Sequence, residues 1–492
     1  MDETLKNAEP VSLWGHFDEI RKLPHPSEHE GPVADWVCRL AEQHGASWVR
    51  DSATPVGNVV IRVPATPGHE GAPIVILQGH LDMVGEKDNA VEHDFLKDPI
   101  KLRKEGDLLY ACDTTLGADN AIGLAAALAC LTDPDVVHGP LELLFTVEEE
   151  TGLTGARSLD ASLLQGKILL NLDSEEHGAL YIGCAGGADT VATLAVDPRP
   201  LAGDGWTPLK VVVGGLRGGH SGIDIPFGRA NALLLLAAAL QRALQLGIDL
   251  QLASFAGGSK HNAIPREAEA LLFTREPERL AEVLRREAIA AFVRYVGSEI
   301  VEAIRIEAQP AQVAPQVWNP LVRDRFLALL ASLPHGVIRM SEAVPGLVET
   351  SNNVAVAVFG EGAVKLTLSS RSSVNEELRR VQQGIVLLLQ AAGCEVHADE
   401  GYPGWQPDLQ SPILHRLDRI YTELFGSAPA RKAIHAGLEC GLLGAKVPGM
   451  DMISFGPDIF SPHSPTEHVS IPSVALFWKL LKAVLADLAK NP

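Results

Sequence analysis

Cysteine is scarce in this chain, six residues in 492, and no two are spaced C-x-x-C. That excludes a zinc ribbon or a redox dithiol as the organising feature, and reduced thiols of a cytoplasmic protein are the expectation. Basic residues are outnumbered, 41 against 62, for a net charge of −21. Such a balance disfavours nucleic acid and anionic membrane as partners and favours cations. Long apolar runs are absent: the longest, Ala232 to Leu240, is too short to span a bilayer. The opening M-D-E-T-L-K-N-A-E-P has no basic or apolar stretch of a signal peptide. No G-x-x-x-x-G-K-[ST] loop occurs, His29-Glu30 and His69-Glu70 fail to complete H-E-x-x-H, and Gly219-His220-Ser221-Gly222 is not G-x-S-x-G. A phosphate loop, a single-metal zincin and a serine nucleophile elbow are therefore not signalled.

What is there is an ordinary globular composition, 46% apolar and 21% charged, in a chain long enough for two or three units. Residues 12–47 are predicted helical, with Trp14, Phe17 and Ile20 at helical spacing. Strands are predicted at 59–63, 74–78, 141–147 and 168–172, and a small-residue helix at 120–131 that Asp119 is placed to cap. This alternation predicts an α/β domain with a helix-covered, mostly parallel sheet. After the glycine-rich stretch 183–187 the texture changes. Strands such as 209–213 and 363–368 alternate apolar and polar residues, between helices near 229–246, 276–296, 319–332 and 375–392. That pattern predicts an inserted α+β domain with a solvated sheet face. A helix at 412–425, an apolar strand at 450–455 and a helix at 473–488 resume the first texture. The predicted organisation is a discontinuous domain, 1–186 plus 401–492, with an insert at 187–400.

Polar residues collect where the predicted strands end. His80 and Asp82 follow the second strand, Asp119 the next element, Glu148-Glu149-Glu150 the third strand and Asp173 the fourth. The last strand leads into F-G-P-D-I-F-S-P-H-S-P-T-E-H, with His463 and Glu467. Each has a bland use taken singly: a hydrogen-bonded turn, a solvated edge, a helix cap, a surface loop. Together they sit where open α/β sheets bind ligands, at the carboxyl ends of strands. Two imidazoles and three carboxylates suit two borderline divalent ions, zinc, manganese or cobalt, with one carboxylate shared. A buried His80 then has a purpose: one ring nitrogen on a metal, with Asp82 orienting the ring from behind. Neighbours in a regular strand point to opposite faces, so Glu149 and Glu150 can both face the site only if the strand ends near Val147.

In chain order, G-H-L-D, G-A-D-N, E-E-x-G, D and H-S-P-T-E resemble the motifs of the co-catalytic di-zinc peptidase family of aminoacylases, glutamate carboxypeptidases, tripeptidases and dipeptidases. The longer C-D-T-T-L-G-A-D-N, V-E-E-E-T-G-L-T-G-A and F-G-P-D-I-F-S-P-H-S-P-T-E resemble its dipeptidases. The resemblance implies a catalytic domain with two divalent ions, zinc foremost. His80 and Asp173 would hold one and Glu150 and His463 the other. Asp119 would bridge them, and Glu149 would be the general base toward a water between them. It also implies a supporting Glu148, a cis peptide at Asp119–Asn120, and an insert that acts as a lid and forms a homodimer. His220 of R-G-G-H-S-G would steady the oxyanion, in its own or a neighbouring site. Asn262 of K-H-N-A-I-P and Arg371 of S-S-R-S-S would bind the substrate carboxylate, and Gly437 would touch the substrate. By its own chemistry Arg371 is a natural fork for a carboxylate. The implied activity is hydrolysis of small peptides, dipeptides first and Xaa-His such as β-alanyl-histidine among them, in the cytoplasm. Tripeptide cleavage, deacylation of N-acyl amino acids, and a non-catalytic metal-binding scaffold are the other readings. A scaffold would need neither Asp82 nor Glu149.

Overall fold

The computed structural model describes residues 1–52, 54–312 and 314–490. They form two compact units. One comprises Met1–Gly183, Pro407–Ala433 and the chain from Leu438 onward; the other comprises Cys184–Gln406 and Ile434–Gly437. The second unit is thus wider than 187–400, and it takes Gly437 out of the C-terminal segment.

In the first unit the central strands of the sheet run in the order Val59–Val63, Leu141–Thr146, Val75–His80, Ile168–Asn171, Asp451–Ser454, Ala179–Cys184. The four inner strands pair in parallel and the outer two pair antiparallel, so the sheet is parallel only at its centre. Every residue of Val75–His80 and Leu141–Thr146 is buried, as expected of strands covered on both faces, which read as apolar runs rather than alternations. Parallel register brings their carboxyl ends together: His80 lies beside Thr146, and Gln78 beside Asn171. The helix Ala118–Thr132 is buried over nearly all its length. Its small residues permit that approach; a Cβ on Gly123 would stand 2.4 Å from the Leu172 carbonyl oxygen.

The helix expected over 12–47 is in fact two, Val11–Ile20 and Gly31–Gln43. Pro24 and Pro26 lie between them, and proline breaks the hydrogen-bond ladder. Trp14, Phe17 and Ile20 are fully buried, as their spacing predicts.

The second unit holds an antiparallel sheet ordered Arg305–Pro310, Thr207–Gly214, Ala268–Thr274, Leu250–Gly257, Val348–Gly360, Ala363–Ser372, Gly186–Ala195, Glu395–Ala398. Helices Ala232–Gln245, Pro277–Arg294 and Pro320–Ser332 share its apolar core. Leu209, Val211 and Val213 are buried while Lys210 and Val212 are half-exposed, which is the alternation of a sheet with one solvated face. Asn231 caps the first helix, its side chain accepting from the N–H groups of Leu233 and Leu234. No helix among the described residues is long and apolar enough to cross a membrane.

Candidate metal centre

His80 is the last residue of its strand and is buried. Its Nδ1 lies 3.0 Å from the carbonyl oxygen of Asp82. A carbonyl only accepts, so Nδ1 carries the proton and Nε2 presents a lone pair. That lone pair faces Asp119 Oδ1 at 3.1 Å and Asp173 Oδ1 at 3.3 Å. With the ring neutral, three acceptors are turned on one point, which suits a cation there, a metal ion or a proton on Nε2.

The same holds on the other side of Asp119. His463 Nε2 lies 3.3 Å from Asp119 Oδ2 and 2.9 Å from Glu150 Oε2. Asp119 thus turns one oxygen to each imidazole. Three groups of three offer ligand atoms all within 4.8 Å of one another: His80, Asp119 and Asp173; His80, Glu149 and Glu150; and Asp119, Glu150 and His463. Glu150 Oε1 and Asp173 Oδ1 are buried and accept no hydrogen bond. Donor chemistry, shared carboxylate and orphaned oxygens all fit a pair of divalent ions.

The electrostatics agree. Burial pushes the Asp173 carboxyl up to about 7 and, with Asp119 beside it, the Glu175 carboxyl up to about 9. Hydrogen bonds to Asp119 and Glu150 lift His463 to about 11. Burial opposes a charge on His80, yet Asp173 and Asp119 raise its pKa well above the ordinary value. Burial also raises Glu149 well above the usual carboxylate range, with Asp173, Glu439 and Glu150 adding to the effect. The raised histidines reflect the carboxylates around them, and the raised carboxyls reflect burial first and neighbouring carboxylates second.

Asp119 is placed by the sequence either to cap the helix or to bind metal. Gly117 stands at the N-cap, and Asp119 lies inside the first turn with non-helical φ −79° and ψ 108°, its carboxylate on the two histidines. The Asp119–Asn120 peptide is cis. The strand ahead of the glutamates ends at Thr146, and Glu148 has a left-handed φ of 50°. The chain therefore turns before Glu149 and Glu150, and both can reach one site.

Asp82 does more than orient His80, whose Nδ1 is nearer the Asp82 carbonyl than its carboxylate, 3.4 Å away. Its carboxylate accepts from the N–H groups of Glu149 and Glu150 at 3.0 and 3.1 Å, and from the Ser27 hydroxyl at 2.8 Å. Burial would raise its pKa, but hydrogen bonds from His80, Ser27 and Glu149 hold it below the ordinary value. One carboxylate thus ties the His80 strand to the glutamate turn.

Three further carboxylates support the centre: Glu467, which the sequence places with His463, and Glu439 and Glu30, which carry no spacing signal. Glu467 accepts from the N–H groups of Leu116, Gly117 and Asp119, which joins the His463 loop to the Asp119 loop. Glu439, fully buried, accepts from Thr146 and Gln78 and so clamps the ends of two inner strands. Glu30 accepts from the Glu148 N–H at 2.9 Å. Asn120 donates to the Leu172 carbonyl at 2.8 Å, and a Cβ on Gly79 would stand 2.2 Å from Asn120 Oδ1. Gly79→Ala is therefore expected to destabilise the protein by about 1–3 kcal/mol and to lower metal retained after dialysis. An unchanged melting temperature and metal content would refute that close approach.

Within the second unit, His220 Nδ1 accepts from the N–H groups of Gly222 and Ile223, at 3.2 and 3.1 Å. The proton is then on Nε2, which is left as a donor. Burial, with Arg371 adding, keeps the His220 pKa below its ordinary value. Arg371 is buried, donates to the Tyr402 hydroxyl at 3.1 Å and keeps a buried Nε without a hydrogen bond. The Asn262 carbonyl accepts from the Ser221 N–H at 2.8 Å, next to His220. Gly437 packs on the Tyr402 ring, where a Cβ would stand 3.0 Å from it. His435, which the sequence did not single out, lies 2.8 Å through Nε2 from the Ser351 hydroxyl.

A profile of the peptidase family M20/M25/M40 matches residues 76–487. The cytosol non-specific dipeptidase of Escherichia coli K12 is 42% identical over 98% of this chain and 99% of that protein. The crystal structure of aminoacylhistidine dipeptidase from Vibrio alginolyticus superposes with a TM-score of 0.89, at 40% identity and 98% coverage of both chains. Aminopeptidase PepT from Bacillus cereus shares the fold, with a TM-score of 0.56 at 16% identity over 97% of this chain and 98% of that one. The chain belongs to the peptidase family M20/M25/M40.

Proposed function

We propose that this protein is a metal-dependent dipeptidase whose substrates include Xaa-His dipeptides, working in the cytoplasm as a homodimer with two zinc ions per chain. The observation that supports it most is Asp119, each oxygen turned to a different imidazole, in a chain 42% identical along nearly its whole length to a dipeptidase. His80, Asp119 and Asp173 would hold one ion and Asp119, Glu150 and His463 the other. Bound there, such a pair acidifies water and polarises a carbonyl. Glu149 takes the proton of the attacking water on its carboxylate and hands it to the nitrogen of the leaving amine. Asp82 keeps Glu149 and Glu150 in place through their N–H groups. His220 donates from Nε2 to the oxyanion, of its own site or of a neighbouring one, while Arg371 and Asn262 bind the C-terminal carboxylate and Gly437 touches the substrate.

The test is a substrate panel. Alanyl-histidine and β-alanyl-histidine are expected to be cleaved, and a tripeptide and an N-acetyl amino acid at least about tenfold more slowly in kcat/KM, a gap of about 1.4 kcal/mol. EDTA is expected to abolish cleavage, and zinc, manganese or cobalt to restore it. Faster turnover of the N-acetyl amino acid would replace this reading with deacylation. Full activity in EDTA would remove the metal from the reaction.

A further inference from the structure

A cavity of about 800 Å³ opens in the second unit, and Arg217, Arg266 and Arg305 all line it. None of their guanidinium groups makes a hydrogen bond or ion pair among the described residues. Two nearby cations are matched instead: Arg229 pairs with Asp224 at 2.7 Å, and Lys210 pairs with Glu269. Lys210 thereby neutralises one of the two carboxylates on the cavity wall and leaves Glu267 against three guanidiniums. The buried Glu299 accepts from the backbone N–H groups of Arg217 and Ala230, not from an arginine side chain. Strand register sets the arrangement: Arg305 lies opposite Gly214, where the missing side chain leaves the space open.

We propose that this cavity binds a small phosphate ester or polyphosphate. A guanidinium fork matches a phosphate in charge and in bidentate geometry, and the volume is that of a small-molecule site. Among the described residues no aromatic side chain lines the wall, so none of them would stack on a base, and the ligand is a compact, non-aromatic anion rather than a nucleotide.

Calorimetry of the full-length, metal-loaded protein with fructose 1,6-bisphosphate is expected to show one saturable site per chain. Affinity should fall as salt rises, since exposed charges are screened. Arg266→Ser/Arg305→Ser is expected to weaken binding at least tenfold. Gly214→Val keeps all three arginines but fills the space, where a Cβ at Gly214 meets only the Arg305 guanidinium, at 3.9 Å; it is expected to weaken binding as much. Both variants are expected to keep the wild-type melting temperature and dipeptide turnover in the absence of the anion. Absence of saturable binding, or equal affinity in wild type and both variants, overturns the proposal. Binding of ADP more than tenfold tighter than the bisphosphate overturns the exclusion of nucleotides.

Discussion

Glu149→Gln is expected to lower kcat for dipeptides by about 10³-fold while bound metal stays at the wild-type level, since a positioned general base contributes roughly 10²–10⁴. Glutamine matches the shape of glutamate and keeps the backbone N–H that Asp82 Oδ1 accepts at 3.0 Å, so the turn carrying Glu150 is retained. What it loses is the ability to take a proton. Burial already holds the Glu149 carboxyl well above its usual range, so a neutral isostere is not expected to destabilise the metal-free fold. The two readouts separate the roles. Loss of turnover with both metals in place assigns the proton transfer to Glu149. Loss of metal together with turnover would make it a ligand instead, and wild-type turnover would end the assignment.

Asp119→Asn carries the other large effect, at least about 10⁴-fold in kcat, with fewer than two ions retained per chain. Electrostatic terms of this kind can dominate a rate enhancement. Asp119 belongs both to the group with His80 and Asp173 and to the group with Glu150 and His463, so removing its charge weakens both positions. Metal analysis after dialysis reads the loss directly; two ions per chain in the variant would show that Asp119 is not shared.

Metal removal from the wild type adds a pH signature. Burial raises the carboxyls of Asp173, Glu439 and Glu467 to about 7. A carboxyl with a folded pKa above its unfolded value keeps its proton longer in the folded state. Its contribution is intact below the unfolded pKa, near 4, and declines as pH rises through the folded one. The metal-free melting temperature is therefore expected to fall between about pH 5 and about pH 8, and the gain on adding zinc to grow over the same range. A melting temperature that rises with pH in the absence of metal would show that these carboxyls are not crowded.

Much of the centre was legible because its signals are local. His80, Asp119, Glu150, Asp173 and His463 each follow a buried strand or open a loop, and buried parallel strands announce themselves as apolar runs. Even the turn at Glu149 and Glu150 followed from the two-residue period of a strand, and the strand does end at Thr146. The helical spacing of Trp14, Phe17 and Ile20 was legible too, although Pro24 and Pro26 ended the helix earlier than the apolar pattern suggested.

By itself, then, the sequence determined which side chains are chemically able to bind metal and at which strand ends they stand. Tertiary structure alone decided who meets whom. Glu439 reaches Gln78 across 361 positions, and Glu467 reaches Leu116 across 351. Arg305 faces Gly214 only through the pairing of two strands. Periodicity and hydropathy are properties of neighbouring residues, and they persist in any arrangement of the elements. Partnership between distant side chains is set by strand order and register, which one-dimensional spacing does not encode.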